Sequence, residues 1–294
     1  QNMIREIEAK TILNTVPQPD DYFGLKYGIN LYRGCQHQCI YCDSRSTCYG
    51  IENFADILVK MNAIELLEDA LPRKRVLGTI GTGSMQDPYM PVERQYNLTG
   101  RALQVIAEHG FPVHVITKSD LVLRDLDVLR QIKQVYAAVS FTITTADDAL
   151  GRQVEPGAPP VSDRLRAMSI LADNGILTGV TMMPILPFIE DSPENVIEIV
   201  HLAHAHGAAY ILPWMGMSLR SGSREYYYAQ LDRRFPGLKQ RYIRQYGLSY
   251  ECSSPAAQVL YPLFQAECDR LGITTHMPIF TPRPVQRRQQ RQLF

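Results

Sequence analysis

Neither sign of charge prevails in this chain. Its 294 residues carry 30 Lys and Arg against 30 Asp and Glu, so no global basic field marks nucleic acid or an anionic membrane as a partner. No apolar run approaches the ~20 residues that span a bilayer, and the N-terminus lacks the charged-then-apolar order of a secretory signal. A cytoplasmic location without membrane attachment is expected. Met3 would make a natural start, and Gln1 and Asn2 are set aside as a remnant. Collagen, coiled coil and bulk disorder are excluded by a content of 45% hydrophobic and 20% charged residues, which suits one large α/β domain or two small ones. No internal repeat or low-complexity linker marks off an independent second domain. Cysteine is scarce as well, six in all, and three of them crowd into positions 35 to 42. Disulfide frameworks belong to short secreted chains, so this crowding reads as metal ligation in a reducing compartment.

What is present is an alternation. Apolar runs suited to buried parallel strands lie around Tyr27 to Tyr32, Val76 to Ile80, Val113 to Thr117, Ala137 to Ile143, Ile176 to Met183 and Ala209 to Leu212. Amphipathic segments separate them, near Ala63 to Ala70, Glu93 to His109, Leu123 to Val135, Val161 to Asn174 and Pro193 to His206. Their apolar positions step by three and four, as in Leu98, Ala102, Val105 and Ile106. Ser192 before Pro193 starts one helix, and Gly110, Gly175 and Gly207 follow the ends of others. Such βα units predict a parallel sheet with right-handed crossovers and a site at the carboxyl ends of its strands. The expected organisation is an N-terminal arm (1–26), an α/β body (27–215), a C-terminal helical extension (216–275) and a loose basic tail (276–294).

YRGCQHQCIYC follows the first strand directly and puts Cys35, Cys39 and Cys42 on the loop at its carboxyl end, where a barrel keeps its active site. Three thiolates supply three ligands to a cubane of four irons and leave one iron open. Gly34, Gln36, His37 and Gln38 suit a loop, spanning 34–43, that wraps an anionic cluster. Structural zinc is the alternative; its fourth ligand would be Cys48 or His37.

The spacing CxxxCxxC, with Tyr41 before the last cysteine, closely resembles the signature of the radical S-adenosylmethionine (SAM) superfamily. LYRGCQHQCIYC, GTGSMQDPYMPVERQYNLT, VITKSDLVLRDLDVL, VSFTITTADD and EPGAPPVSDRLRAMSILADNGI look like successive blocks of its spore photoproduct lyase-related branch. The resemblance implies a partial (β/α)6 TIM-like barrel open on one side. It also implies a 4Fe-4S cluster on Cys35, Cys39 and Cys42 that reduces bound SAM, releasing methionine and a 5'-deoxyadenosyl radical for hydrogen abstraction. An external one-electron reductant of flavodoxin or ferredoxin type would be needed.

Carried over residue by residue, the resemblance sets Tyr41 near the adenine and Gly81, Thr82, Gly83 and Ser84 against the methionine amino group. Small residues there permit close backbone approach. Lys118 at the end of VITK would pair with the cofactor carboxylate, and Ser140 and Thr142, on one face of their strand, are candidate ribose or carboxylate partners. Asp87 and Tyr89 lie where they would border the substrate, although Pro88 and Pro91 allow turn chemistry alone. Met182, Met183 and Pro184 suit the core or a cofactor wall. Cys48 is a candidate hydrogen relay, so Cys48 and Tyr89 stand as the catalytic candidates. Cys252 and Cys268 read as buried thiols. HLAHAH reads as a solvated helix face rather than a metal site, with no carboxylate partner evident. The tyrosines at 226–228 suit cap packing or a cover over the barrel mouth.

Two substrate classes are compatible with radical chemistry. The favoured one is a small metabolite or peptide inside the barrel, for which a neutral surface suffices. The other is a nucleic acid, held by Arg220, Arg224, Arg233, Arg234, Lys239, Arg241 and Arg244, with Arg283, Arg287, Arg288 and Arg291 in the tail. A non-catalytic iron-sulfur or zinc redox sensor is the alternative from another class. In the lyase that typifies the branch, a cysteine on the segment after the second strand returns a hydrogen atom to product; GTGSMQDPY offers Ser84 in about that place.

Overall fold

The computed structural model describes residues 3–18, 21–51 and 53–285. Six parallel strands follow one another in sequence order across one sheet: β1 (Leu25–Ile29), β2 (Thr79–Thr82), β3 (Val113–Thr117), β4 (Ala137–Thr142), β5 (Leu177–Met182) and β6 (Tyr210–Pro213). Unbroken sequence order is what βα units give when every crossover has the same hand. The sheet does not close: Leu13–Thr15 pairs antiparallel with the outer edge of β1, and β6 forms the other edge. The fold is therefore an α/β partial barrel. β4 is buried at every position, as a strand covered on both faces should be.

The helices that cover it are α1 (Ala63–Ala70), α2 (Leu98–Glu108), α3 (Leu126–Ile132), α4 (Val161–Asp173) and α5 (Pro193–Ala205). The amphipathic run expected from 93 to 109 is interrupted at Asn97, whose φ is +51°, leaving a single turn at Glu93–Tyr96 before α2. A buried carboxylate accounts for the break. Glu93 accepts the backbone N–H of Thr99 at 3.0 Å and of Gly100 at 3.3 Å, capping α2 in place of a serine or aspartate just ahead of it. Tyr32 and Arg124 complete its hydrogen bonding.

Beyond β6 come α6 (Ser223–Arg234), α7 (Leu238–Tyr246) and α8 (Ala257–Leu271), with Gly216–Ser218 paired antiparallel to Glu251–Ser253. α6 and α7 share a core with the cysteine loop: Tyr227, Leu231 and Tyr242 pack in one cluster with Cys39, Ile40 and Tyr41. The Tyr227 hydroxyl donates to the Tyr242 oxygen at 2.9 Å, and the Tyr242 hydroxyl donates to the carbonyl of Pro187 at 2.6 Å. α8 packs on α5, where His201 meets Glu267 at 2.5 Å and Glu198 at 3.9 Å, so this histidine has the carboxylate partners the sequence did not reveal.

Two ends of the chain differ from expectation. The arm contributes Ile4–Ile7 to a three-stranded sheet with Ile57–Lys60 and Tyr32–Arg33, so the strands on either side of the cysteine loop pair with each other. The tail is not loose through 285. Thr274 bridges to Tyr210, Tyr136 donates to the carbonyl of Pro278 at 2.7 Å, and Arg283–Pro284 pairs with Val76–Leu77. This strap runs from the β6 edge to Val76–Leu77, just ahead of β2. Arg287, Arg288 and Arg291 lie outside the described residues. Among the described residues no helix is long and apolar enough to cross a membrane.

Candidate active site

A cavity of about 260 Å³ opens at the carboxyl ends of the strands, and Cys35, Cys39 and Cys42 line it together. The loop that carries them is tied down by the three side chains between the first two cysteines. Gln36 accepts the N–H of Val92 at 2.6 Å. His37 sets Nδ1 3.1 Å from the carbonyl of Gly157 and Nε2 3.1 Å from Asp87. Gln38, with φ of +53°, donates to the carbonyl of Cys35. Gly157 is required here: a Cβ would lie 2.2 Å from the carbonyl oxygen of Gln36, so only glycine lets this turn press against the loop.

Cys35 and Cys39 are buried. Burial pushes the Cys35 thiol up to about 12, with Asp87 and Cys42 adding repulsion, while backbone hydrogen bonds at Asp87 and His37 pull the other way. Burial likewise raises the Cys39 thiol, against the attraction of Lys118.

Under the loop lies a buried ion pair that sequence reasoning missed. Glu155 is fully buried and pairs with Arg164 at 2.6 Å, and Lys118 Nζ stands 3.9 Å away. The Tyr41 hydroxyl donates to the same carboxylate. Burial opposes charge on Glu155, but the two cations and the tyrosine outweigh it and hold its carboxyl below the usual range. Arg164 also donates to the carbonyls of Pro159, at 3.0 and 2.8 Å, and of Thr142, at 3.0 Å. Glu155 opens EPGAPP and Arg164 stands nine residues on; a charged residue on each side of a proline-rich turn was the available signal.

Asp87 anchors the opposite wall. It accepts from Thr117 Oγ1 at 2.7 Å, from the Lys118 N–H at 2.7 Å and from the Tyr89 N–H at 2.8 Å. Burial works against its charge, but His37 and these donors prevail and draw its carboxyl down to about 2. Two carboxylates thus fix Lys118: Asp87 by its backbone and Glu155 by its ammonium. Because Arg164 already compensates Glu155, the Lys118 charge remains available to the cavity.

Of the residues singled out from sequence, Tyr41, Gly83, Ser84, Lys118, Thr142 and Pro184 line the cavity with the cysteines. Gly83 has φ of +100°, and a Cβ there would meet the carbonyl of Ile116 at 2.3 Å. Gly81, Thr82 and Ser140 do not line it. Ser140 sits deeper in the barrel, bonded to His114 at 2.8 Å and Tyr210 at 2.7 Å, because a strand one pleat further down points into the packed lumen. Met182 is core, and Met183 packs with Tyr210.

Neither catalytic candidate reaches the cavity. Cys48 is exposed and takes a contact from Arg220 Nη1 at 3.4 Å. The Tyr89 hydroxyl donates to Asp125 at 2.9 Å, since the turn made by Asp87 and Pro88 aims it at the α2–α3 side. Tyr49, Asp43, Trp214, Met217 and Ser218 line the mouth instead; the first of these donates to Asp43 at 3.2 Å.

An open parallel α/β barrel with three cysteines on the loop after its first strand defines a class of enzyme that carries an inorganic cofactor where other barrels carry catalytic side chains. Residues 29–203 match the family model of the Radical SAM superfamily, and the chain belongs to that superfamily. It is a radical SAM enzyme; the family implies SAM and an iron-sulfur cluster as cofactors, and an external reductant besides the substrate. An uncharacterized protein of Mycobacterium tuberculosis is 30% identical over 249 residues, covering 82% of this chain and 73% of that one. An uncharacterized protein of Methanocaldococcus jannaschii is 34% identical over 191 residues, 64% and 70% of the two chains. A radical SAM Nalpha-GlyT isomerase of Pseudomonas phage M6 is 25% identical over 155 residues, 53% of this chain and 32% of that one. In fold the chain is similar to spore photoproduct lyase complexed with dinucleoside spore photoproduct, with a TM-score of 0.71 at 16% identity over 92% of this chain and 81% of the lyase.

Proposed function

We propose that Cys35, Cys39 and Cys42 ligate a 4Fe-4S cluster and that the enzyme abstracts hydrogen from a small metabolite or peptide admitted to the cavity. The observation that carries this reading is the convergence of three cysteines and Lys118 on one cavity. The donor set fits such a cluster. Burial disfavours a bare thiolate at Cys35, and bound iron supplies the compensating positive charge. When bound, the cluster would supply the single electron that cleavage of the SAM sulfonium needs. Lys118 holds the cofactor carboxylate, the Gly83–Ser84 backbone lies open to its amino group, and Tyr41 offers a ring to the adenine. Trp214, Met217 and Ser218 are left for the substrate. The electron comes from a protein of flavodoxin or ferredoxin type.

A nucleic acid is the second reading, favoured by the fold shared with spore photoproduct lyase. Several of the basic residues counted for phosphate are already engaged, however. Arg224 donates to the carbonyls of Leu219, Gly247 and Ser249, Arg220 pairs with Asp43, Lys239 pairs with Asp232, and Arg241 lies over Phe188. With those four committed within the fold, a phosphate backbone would find fewer free cations on this face, which supports the smaller substrate.

Anaerobic protein is expected to hold about four irons and four sulfides and to release methionine and 5'-deoxyadenosine from SAM once reduced. Tetrahedral zinc in place of iron, or no cleavage at full cluster loading, would overturn the proposal.

A further inference from the structure

Arg45 has a job that the cluster ligands and Lys118 leave undone. It follows Cys42 by three residues, and its backbone N–H donates to the carbonyl of Cys42 at 3.3 Å. Its guanidinium lies between two rings, 3.6 Å from the centre of Tyr226 on α6 and 4.5 Å from that of Phe54. Nη2 donates to Gln38 Oε1 at 2.5 Å, and Gln38 in turn donates to the carbonyl of Cys35. Among the described residues no carboxylate pairs with Arg45, and its buried Nε finds no hydrogen-bond partner. Burial works against its charge, while Tyr226 and the three cysteines favour it.

An arginine with so much hydrogen-bonding capacity is normally matched to an anion. Here the protein supplies rings and an amide. A cubane held by three thiolates is a net anion, and reduction adds one more negative charge. We infer that Arg45 is the fixed counter-cation of the cluster, clamped by Tyr226, Phe54 and Gln38, and that it raises the cluster's reduction potential. The clamp joins the cysteine loop to α6, so the C-terminal extension also sets how readily the cluster accepts its electron. Arg45 acts through the cluster and is a positioning residue, not a catalytic one. This inference rests on the cluster reading above.

The test is a reductive titration of the anaerobic full-length chain, with the reduced cluster quantified by electron paramagnetic resonance at fixed potentials and iron and sulfide measured in each sample. Arg45→Met is expected to lower the ratio of reduced to oxidised cluster about tenfold at a given potential, equivalent to about 59 mV for one electron. Arg45→Lys should keep most of the wild-type ratio, since it keeps the charge. An unchanged ratio in Arg45→Met at full iron content would overturn the inference, as would an equal fall in the Lys and Met variants. Should Arg45→Met fail to hold iron, Tyr226→Leu decides: a lowered ratio at full iron supports the clamp, and the wild-type ratio overturns it. Wild-type protein with no reducible cluster would instead sink the cluster reading, a separate outcome.

Discussion

Arg164 Nη1 lies 2.6 Å from a carboxylate oxygen of Glu155, and neither side chain is accessible to water. The pair connects the start of α4 to the turn that presses on the cysteine loop, and it frees Lys118 from serving as the sole partner of Glu155.

Removing one member of a buried ion pair costs about 3–5 kcal/mol, and since Lys118 and Tyr41 still face Glu155 the lower end of that range applies. Arg164→Met is expected to lose that much stability in denaturant unfolding at pH 7. Adding Glu155→Gln to that background should restore part of it, because the stranded charge is then gone. A loss below about 1 kcal/mol in the single variant would be typical of an exposed pair and would contradict the burial described here.

Lys118→Ala should weaken SAM binding by about 1.5–3 kcal/mol, the range of a charge-assisted hydrogen bond, and leave iron content unchanged. Equilibrium dialysis of labelled SAM against anaerobic protein measures both. Unaltered affinity would show that the ammonium does not meet the cofactor.

His114 is wholly buried, and burial lowers its pKa from 6.5 to about 3. The unfolded chain therefore binds a proton between those values that the folded chain refuses. The stability that neutral His114 contributes is present above pH 6.5 and is lost as pH falls toward 3, at about 1.4 kcal/mol per unit. Urea unfolding at pH 7 and pH 5 should differ by about 2 kcal/mol more in the wild type than in His114→Gln. Parallel pH profiles would place the titration elsewhere.

Spore photoproduct should not be a productive substrate. Ser84 lines the cavity, where the lyase is expected to carry a hydrogen-returning cysteine, and an O–H bond is too strong to give its hydrogen to a carbon radical. Cys48 is exposed and lies outside the cavity lining. Incubating reduced enzyme and SAM with the dinucleotide lesion and quantifying thymine gives the answer. Clean multiple turnover would refute the expectation; activity gained by Ser84→Cys would support the reasoning behind it.

Six strands in a parallel sheet and the loop that carries the cysteines could be read from the chain alone. Those features are local: short apolar runs that alternate with amphipathic segments and are bounded by turn signals read as buried strands, and CxxxCxxC sets three thiols close together along the chain. Lys118, Gly83, Ser84, Tyr41 and Thr142, carried over from the family resemblance, line the cavity, since each stands at or near a strand end or in the loop. The tertiary structure alone decided which neighbours share a face with the cavity and which do not. Ser140 satisfies the same alternation as Thr142 yet points into the packed lumen beside His114 and Tyr210, and Tyr89 turns to Asp125. It alone joined Glu155, Arg164 and Lys118, which come from a turn, a helix and a strand end, and it alone laid Tyr226 against Arg45. Charge pairing across the fold leaves no periodicity in the chain, because a buried ion needs a partner in space and nothing requires that partner to be near in sequence.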